Sequence, residues 1–251
     1  MKLIRRFSFT VLVTFVIAGS AACAQSSVDK PGQQVEAVFE SSDGAKVPYL
    51  IYLPKNYSAD SEQEFALLYF LHGRGESNGP LSLVAKWGPP KFAARGDDLP
   101  YIVVSPQCPR SDRWSSETQQ KRLTELLDAI TKQYRVNQES IFLTGLSMGG
   151  YGTWTMATNS PGRFAAVAPI CGGGDPTKAA NLVDVPIWVF HGDQDKPVPF
   201  EKSVKMVDAI TKAGGTKVRF TTMENVGHNC WSAAYATPEL YQWMNAQVKN
   251  K

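Results

Sequence analysis

Ser140-Ile141-Phe142-Leu143-Thr144-Gly145-Leu146-Ser147-Met148-Gly149-Gly150-Tyr151 decides how this chain folds. Residues 140–144 form a short, mostly apolar run of the kind that makes a strand buried on both faces. Residues 151–157 suit a helix. Between them stands G-x-S-x-G at 145–149. A strand that turns at once into a helix leaves no room for bulk beside the turn, which accounts for Gly145 and Gly149. Such a turn lifts the Ser147 hydroxyl clear of the sheet and aims the following N–H groups at the same space. Ser147 is therefore the candidate nucleophile.

Working outward, the same buried-strand signature recurs at 65–71, 101–105, 164–170 and 186–190, with a less apolar edge strand at 217–223. Residues 35–41 and 46–53 flank the turn Ser42-Asp43-Gly44-Ala45 and predict an antiparallel hairpin. Leu123, Leu126, Leu127, Ile130 and Tyr134 share one helical face. Val204, Val207, Ala209 and Ile210 mark a second helix, ended by Gly214-Gly215. Thr237 followed by Pro238 predicts a capped start for the last one. Strands alternating with helices imply an α/β fold, a mostly parallel central sheet with helices on both faces. No repeat or interdomain linker interrupts it, so residues 35–251 read as a single domain.

A serine hydroxyl needs a base, and the chain has only three histidines. His72 and His191 each end a predicted strand; His228 lies in a loop after the last one. The order serine, acid, histidine assigns His228 as base. The acid belongs after the strand 186–190, where Asp193 and Asp195 compete. Asp195 stands further out before Lys196-Pro197-Val198-Pro199 and has the reach into the site. Asp193 is expected to bond its own backbone, and His72 to hold its loop. The glycines of 71–75 allow close backbone approach to a substrate oxygen. The N–H groups of Arg74 and Met148 are accordingly the expected oxyanion hole. Trp114, Trp154 and Trp231 are candidates for lining the substrate cleft, with Trp87 less favoured.

Residues 1–24 have the layout of an export signal: a basic start with Lys2, Arg5 and Arg6, an apolar run 7–18 too short to span a membrane, then small residues. Ala22-Cys23-Ala24 fits cleavage before Gln25, while 20–23 resembles a lipobox that would leave a lipid on Cys23; both readings stay open. Residues 25–34 read as a flexible leader. The expected location is the cell envelope or beyond, as a periplasmic, secreted or lipid-anchored protein. Without the three leader cations, the 26 Lys and Arg fall level with the 23 Asp and Glu. No net positive charge then remains to favour nucleic acid. Cys108, Cys171 and Cys230 remain after Cys23, an odd number that permits at most one internal disulfide. No cysteine or histidine spacing has the form of a zinc site.

The motifs L-H-G-R-G-E at 71–76, S-P-Q-C-P at 105–109 and G-L-S-M-G-G-Y-G-T-W at 145–154 resemble the α/β-hydrolase superfamily. H-G-D-Q-D-K-P-V-P at 191–199 and G-H-N-C-W at 227–231 complete the likeness. More narrowly the chain is similar to bacterial carboxylesterases and predicted peptidases related to dienelactone hydrolase and phospholipase/carboxylesterase. That resemblance implies a cofactor-independent serine esterase with Ser147, Asp195 and His228 as triad. The short stretch 171–185 leaves no room for a large cap domain, so an open cleft for short-acyl or polysaccharide-borne esters is expected. A prolyl-oligopeptidase-like serine peptidase, a lysophospholipase or lipase, and a non-catalytic surface-binding module are the competing readings.

Overall fold

The computed structural model describes residues 30–249, so the export signal and Cys23 lie outside the described residues. One sheet carries eight strands: β1 (Gln34–Glu40), β2 (Lys46–Tyr52), β3 (Phe65–Leu71), β4 (Tyr101–Pro106), β5 (Val136–Leu146), β6 (Ala166–Ile170), β7 (Ile187–Gly192) and β8 (Val218–Met223). Their spatial order is β1-β2-β4-β3-β5-β6-β7-β8. The β1–β2 and β2–β4 pairs are antiparallel, and every pair from β4 to β8 is parallel. This is the predicted mostly parallel sheet, with β8 at the edge. Several boundaries move by one or two residues, and two changes are larger. β5 starts earlier than the apolar run because Phe65 pairs with Val136 across a register shift. The described end of the leader is docked, the Gly32 N–H donating to the Leu53 carbonyl at 2.8 Å.

Alternation along β3 shows how both faces are covered. Leu67, Tyr69 and Leu71 enter one apolar cluster, Leu68 and Phe70 the other, as a period of two requires. The first cluster packs under α2 (Glu117–Gln133), α3 (Met148–Asn159) and α4 (Glu201–Lys212); the second lies under α1 (Gly88–Ala94), α5 (Trp231–Ala236) and α6 (Pro238–Asn245). Leu123, Leu126, Leu127 and Ile130 of α2 are all buried, each such side chain stabilising the fold by about 1.5–3 kcal/mol. α2 is capped by Ser116, whose side chain accepts from the Gln119 N–H.

Thr237 departs from expectation. It precedes Pro238 as foreseen, but its hydroxyl makes no cap to α6. It donates instead to the Ala233 carbonyl at 2.9 Å, because the same residue also ends α5. α1 and α5 were not legible in the sequence. Both are short, and α1 contains two adjacent prolines in its first turn. Among the described residues no helix is long and apolar enough to cross a membrane.

The turn after β3 rests on His72, which is buried. The Gly73 carbonyl can only accept and the Cys108 N–H can only donate. Nδ1 therefore carries the proton toward Gly73 O (2.6 Å), and Nε2 accepts from Cys108 N–H (3.0 Å). Burial opposes a charge there and lowers the His72 pKa from 6.5 to about 4. The unfolded chain thus binds this proton first. The stability from the neutral ring is whole above pH 6.5 and is lost as pH falls toward 4, amounting to about 3 kcal/mol. Urea unfolding at pH 7.5 and at pH 4.5 is expected to show a smaller loss in His72→Gln than in the wild type. Equal losses would refute the account.

Candidate active site

Parallel strands end on one side of the sheet, and there the loops after β3, β5, β6, β7 and β8 meet. The turn after β5 is the tightest. Ser147 takes φ 53°, ψ −115°, a left-handed φ that costs a non-glycine residue energy and persists only where the surroundings enforce it. Here they do. A side chain on Gly149 would overlap the Leu71 carbonyl, and one on Gly145 would sit 2.6 Å from the Gly149 oxygen. The Ser147 N–H is held by the Ile170 carbonyl at 2.9 Å. α3 begins at the next residue, Met148. Its first N–H groups have no partner within the helix and sit at the positive end of its dipole.

His228 stands between β8 and α5 with Nε2 2.9 Å from Ser147 Oγ and Nδ1 2.7 Å from Asp195 Oδ2. An ionised carboxylate only accepts, so Nδ1 holds the proton and Nε2 is free to take one from the serine. Asp195, on the loop after β7, has a fully enclosed side chain. Three donors surround it: His228 Nδ1, His191 Nε2 at 3.1 Å, and the Val198 N–H on Oδ1 at 2.9 Å.

His191 is the residue that sequence reasoning left without a part. Its Nε2 also reaches the Val198 carbonyl at 3.0 Å, and its Nδ1 lies 2.8 Å from Ser203 Oγ. Burial lowers its pKa and keeps it a neutral donor to Asp195. The available signal was its place four residues before Asp195 at a strand end.

Asp193 does not do what was expected of it. Its Oδ1 is buried without a hydrogen-bond partner. The loop is held instead by the backbone, Asp193 N–H to Met223 O and Gln194 N–H to Val226 O, together with Asp195 itself.

The loop after β3 opens with a short 3-10 turn, Arg74–Glu76. Arg74 Nη1 donates to the Asp112 carbonyl at 2.5 Å and lies 3.7 Å from Met148 Sδ. The two residues named for the oxyanion hole are thus neighbours beside Ser147. A cleft of about 840 Å³ opens there, lined by residues that include Ser147, Met148, Arg74 and Tyr151.

Two tryptophans have to be withdrawn from the cleft. Trp114 and Trp154 are completely buried and pack into the cluster beneath α2, α3 and α4. Trp114 supports the neighbouring loop from below, Nε1 donating to the His72 carbonyl at 3.0 Å. Trp154, two turns along α3 from Ser147, is turned into the core. Trp231 does reach the site, its ring edge-on to His228 at 5.1 Å between centroids. Trp87 packs behind it at 5.9 Å.

Cys171, just past β6, brings Sγ within 4.8 Å of ligand atoms of Asp195 and His228, a proximity no sequence reading could supply. Burial raises its thiol well above the ordinary range, and the Cys230 thiol beside it adds to the shift. Cys108, Cys171 and Cys230 are all free thiols.

With the geometry in place, comparison with known proteins adds a family. The family model described as "Putative esterase" matches residues 41–244. A solved structure titled as a thermostable esterase is 32% identical and superposes with a TM-score of 0.77 over 86% of this chain and 63% of its own. A protein named probable feruloyl esterase C from Aspergillus flavus is 25% identical over 186 residues, 71% of this chain and 66% of its own length. A bifunctional acetylxylan esterase/xylanase of Neocallimastix patriciarum is 25% identical over 170 residues, 65% of this chain and 24% of its own. The chain therefore spans about two thirds of the feruloyl esterase and a quarter of the bifunctional enzyme.

Proposed function

Since this chain belongs to the esterase family whose model covers residues 41–244, and its fold is that of the α/β-hydrolases, we propose that it is a serine hydrolase of carboxylic esters. One observation carries the reading: the unbroken run Ser147 Oγ, His228, Asp195 Oδ2 at 2.9 and 2.7 Å. Ser147 attacks the ester carbonyl while His228 Nε2 takes its proton. The carbonyl oxygen, now negative, faces the N–H groups of Met148 and Arg74, each such donor being worth about 3–4 kcal/mol in comparable sites. His228 then protonates the departing alcohol, and an acyl-serine remains. Water, deprotonated by the same ring, releases the acid and restores the serine. Asp195 holds the tautomer and stabilises the imidazolium without taking the proton.

Residues 35–251 act in this reading as one hydrolase domain. The cleft is open and lined mainly by serines and charged residues, which suits short acyl groups or esters carried on a polymer better than long lipid chains. The acetylxylan and feruloyl esterases among the relatives point to carbohydrate esters. Export through residues 1–24 would bring the enzyme to such material outside the cytoplasm.

The test is chemical. A fluorophosphonate is expected to label one residue, Ser147, as mapped by mass spectrometry. p-Nitrophenyl acetate is expected to turn over where prolyl and other peptide amides do not. Cleavage of the amides with ester activity no greater would give the site to a peptidase. Labelling elsewhere would remove Ser147 from the mechanism.

A further inference from the structure

The cleft beside Ser147 has an electrical character that a neutral acetyl or feruloyl group leaves unused. Its lining holds two arginines, Arg74 and Arg113, and one acid, Asp112, among serines and Tyr151. Neither arginine enters any salt bridge among the described residues. Asp112 is already committed: Oδ1 accepts the Arg113 backbone N–H at 2.8 Å, and Oδ2 accepts Gln119 Nε2 at 3.0 Å. Arg74 is pinned through Nη1 alone, to the Asp112 carbonyl and against Met148 Sδ. Its Nε and Nη2 donors remain available at a fixed place next to the nucleophile.

The acyl side of the substrate must face these groups. His228 protonates the leaving alcohol, so the alcohol departs toward His228, and His228 is not part of this lining. We propose that the acyl group carries a second, ionised carboxylate that the Arg74 and Arg113 guanidiniums bind. The substrate is then a half-ester of a short dicarboxylic acid on a carbohydrate hydroxyl. The inference rests on the esterase reading above and narrows it. Arg74 sits against the side chain of Met148, the residue whose N–H receives the carbonyl oxygen in the esterase reading, so the spacer between carbonyl and carboxylate is expected to be short. A guanidinium matches a carboxylate in both charge and fork geometry.

The experiment compares two esters of one alcohol and nearly one shape, monoethyl succinate and ethyl 4-methylpentanoate, followed by pH-stat. The expected preference in kcat/KM for the anionic ester is about tenfold or more, the scale of one charge-assisted contact. It should shrink in about 0.5 M salt. In Arg113→Gln, and further in Arg113→Gln with Arg74→Gln, the ratio should fall toward one, with the neutral ester as reference in every variant. Equal rates, preference for the neutral ester, or a ratio indifferent to salt and to both arginines would overturn the proposal while leaving the esterase standing. Failure of Ser147 to turn over either ester or to react with a fluorophosphonate would overturn both.

Discussion

Ser147→Ala is expected to lower ester turnover by about a millionfold, the scale found when a triad serine is removed elsewhere. The nucleophile disappears, and nothing nearby replaces it. Cys171 lies close, but it is buried with its thiol held protonated. The residual rate above water would come from the donors of Met148 and Arg74 acting on direct attack by water. The fold should survive, because alanine fits the same tight turn and the serine hydroxyl makes one hydrogen bond, to His228. Unchanged circular dichroism and melting, with labelling by fluorophosphonate gone, complete the expected result. Activity retained in this variant would end the mechanism.

Asp195→Asn is expected to cost about ten-thousandfold in kcat with little change in structure. The reason lies in what faces each oxygen. The Val198 N–H requires an acceptor at one position, and both His228 Nδ1 and His191 Nε2 donate to the other. An amide can meet the first demand only by turning its NH2 toward the two imidazoles. His228 then keeps a hydrogen bond by moving its proton to Nε2, where it faces Ser147 and can no longer receive one. Asp193→Asn is the control and should leave kcat/KM within about threefold, since its buried Oδ1 has no hydrogen bond to lose. The reverse pattern would transfer the acid to Asp193.

How much of this was readable beforehand depends on the range of the interaction concerned. β3 has the predicted bounds because seven consecutive apolar residues buried on both faces leave a strand no alternative. The elbow was readable because strand, G-x-S-x-G and helix follow one another within a dozen residues, although the backbone that crowds Gly149 belongs to Leu71 of β3. The choice of Asp195 over Asp193 was readable from its spacing along one loop. Trp114 and Trp154 misled because a tryptophan near a motif looks the same in sequence whether it faces a cleft or a core; burial depends on what α2 and α3 pack against. The free carboxylate oxygen of Asp193 and the approach of Cys171 to His228 depend likewise on where separate loops come to rest.

The sequence by itself determined the α/β alternation and the strand-turn-helix that carries Ser147, and it holds Ser147, Asp195 and His228 in the order proposed for nucleophile, acid and base. The alternation and the elbow follow from apolar periodicity and turn residues, which are read between neighbours in the chain; the order is what the resemblance to the α/β-hydrolases implies. Tertiary structure alone decided that His191 buttresses Asp195, that Trp231 is the candidate tryptophan beside His228, and that Arg74 and Arg113 line the cleft with no ion pair among the described residues. Each of these is a contact or a missing contact between loops distant in sequence. Such loops are brought together by the assembly of the sheet, and no local pattern records the distance between them.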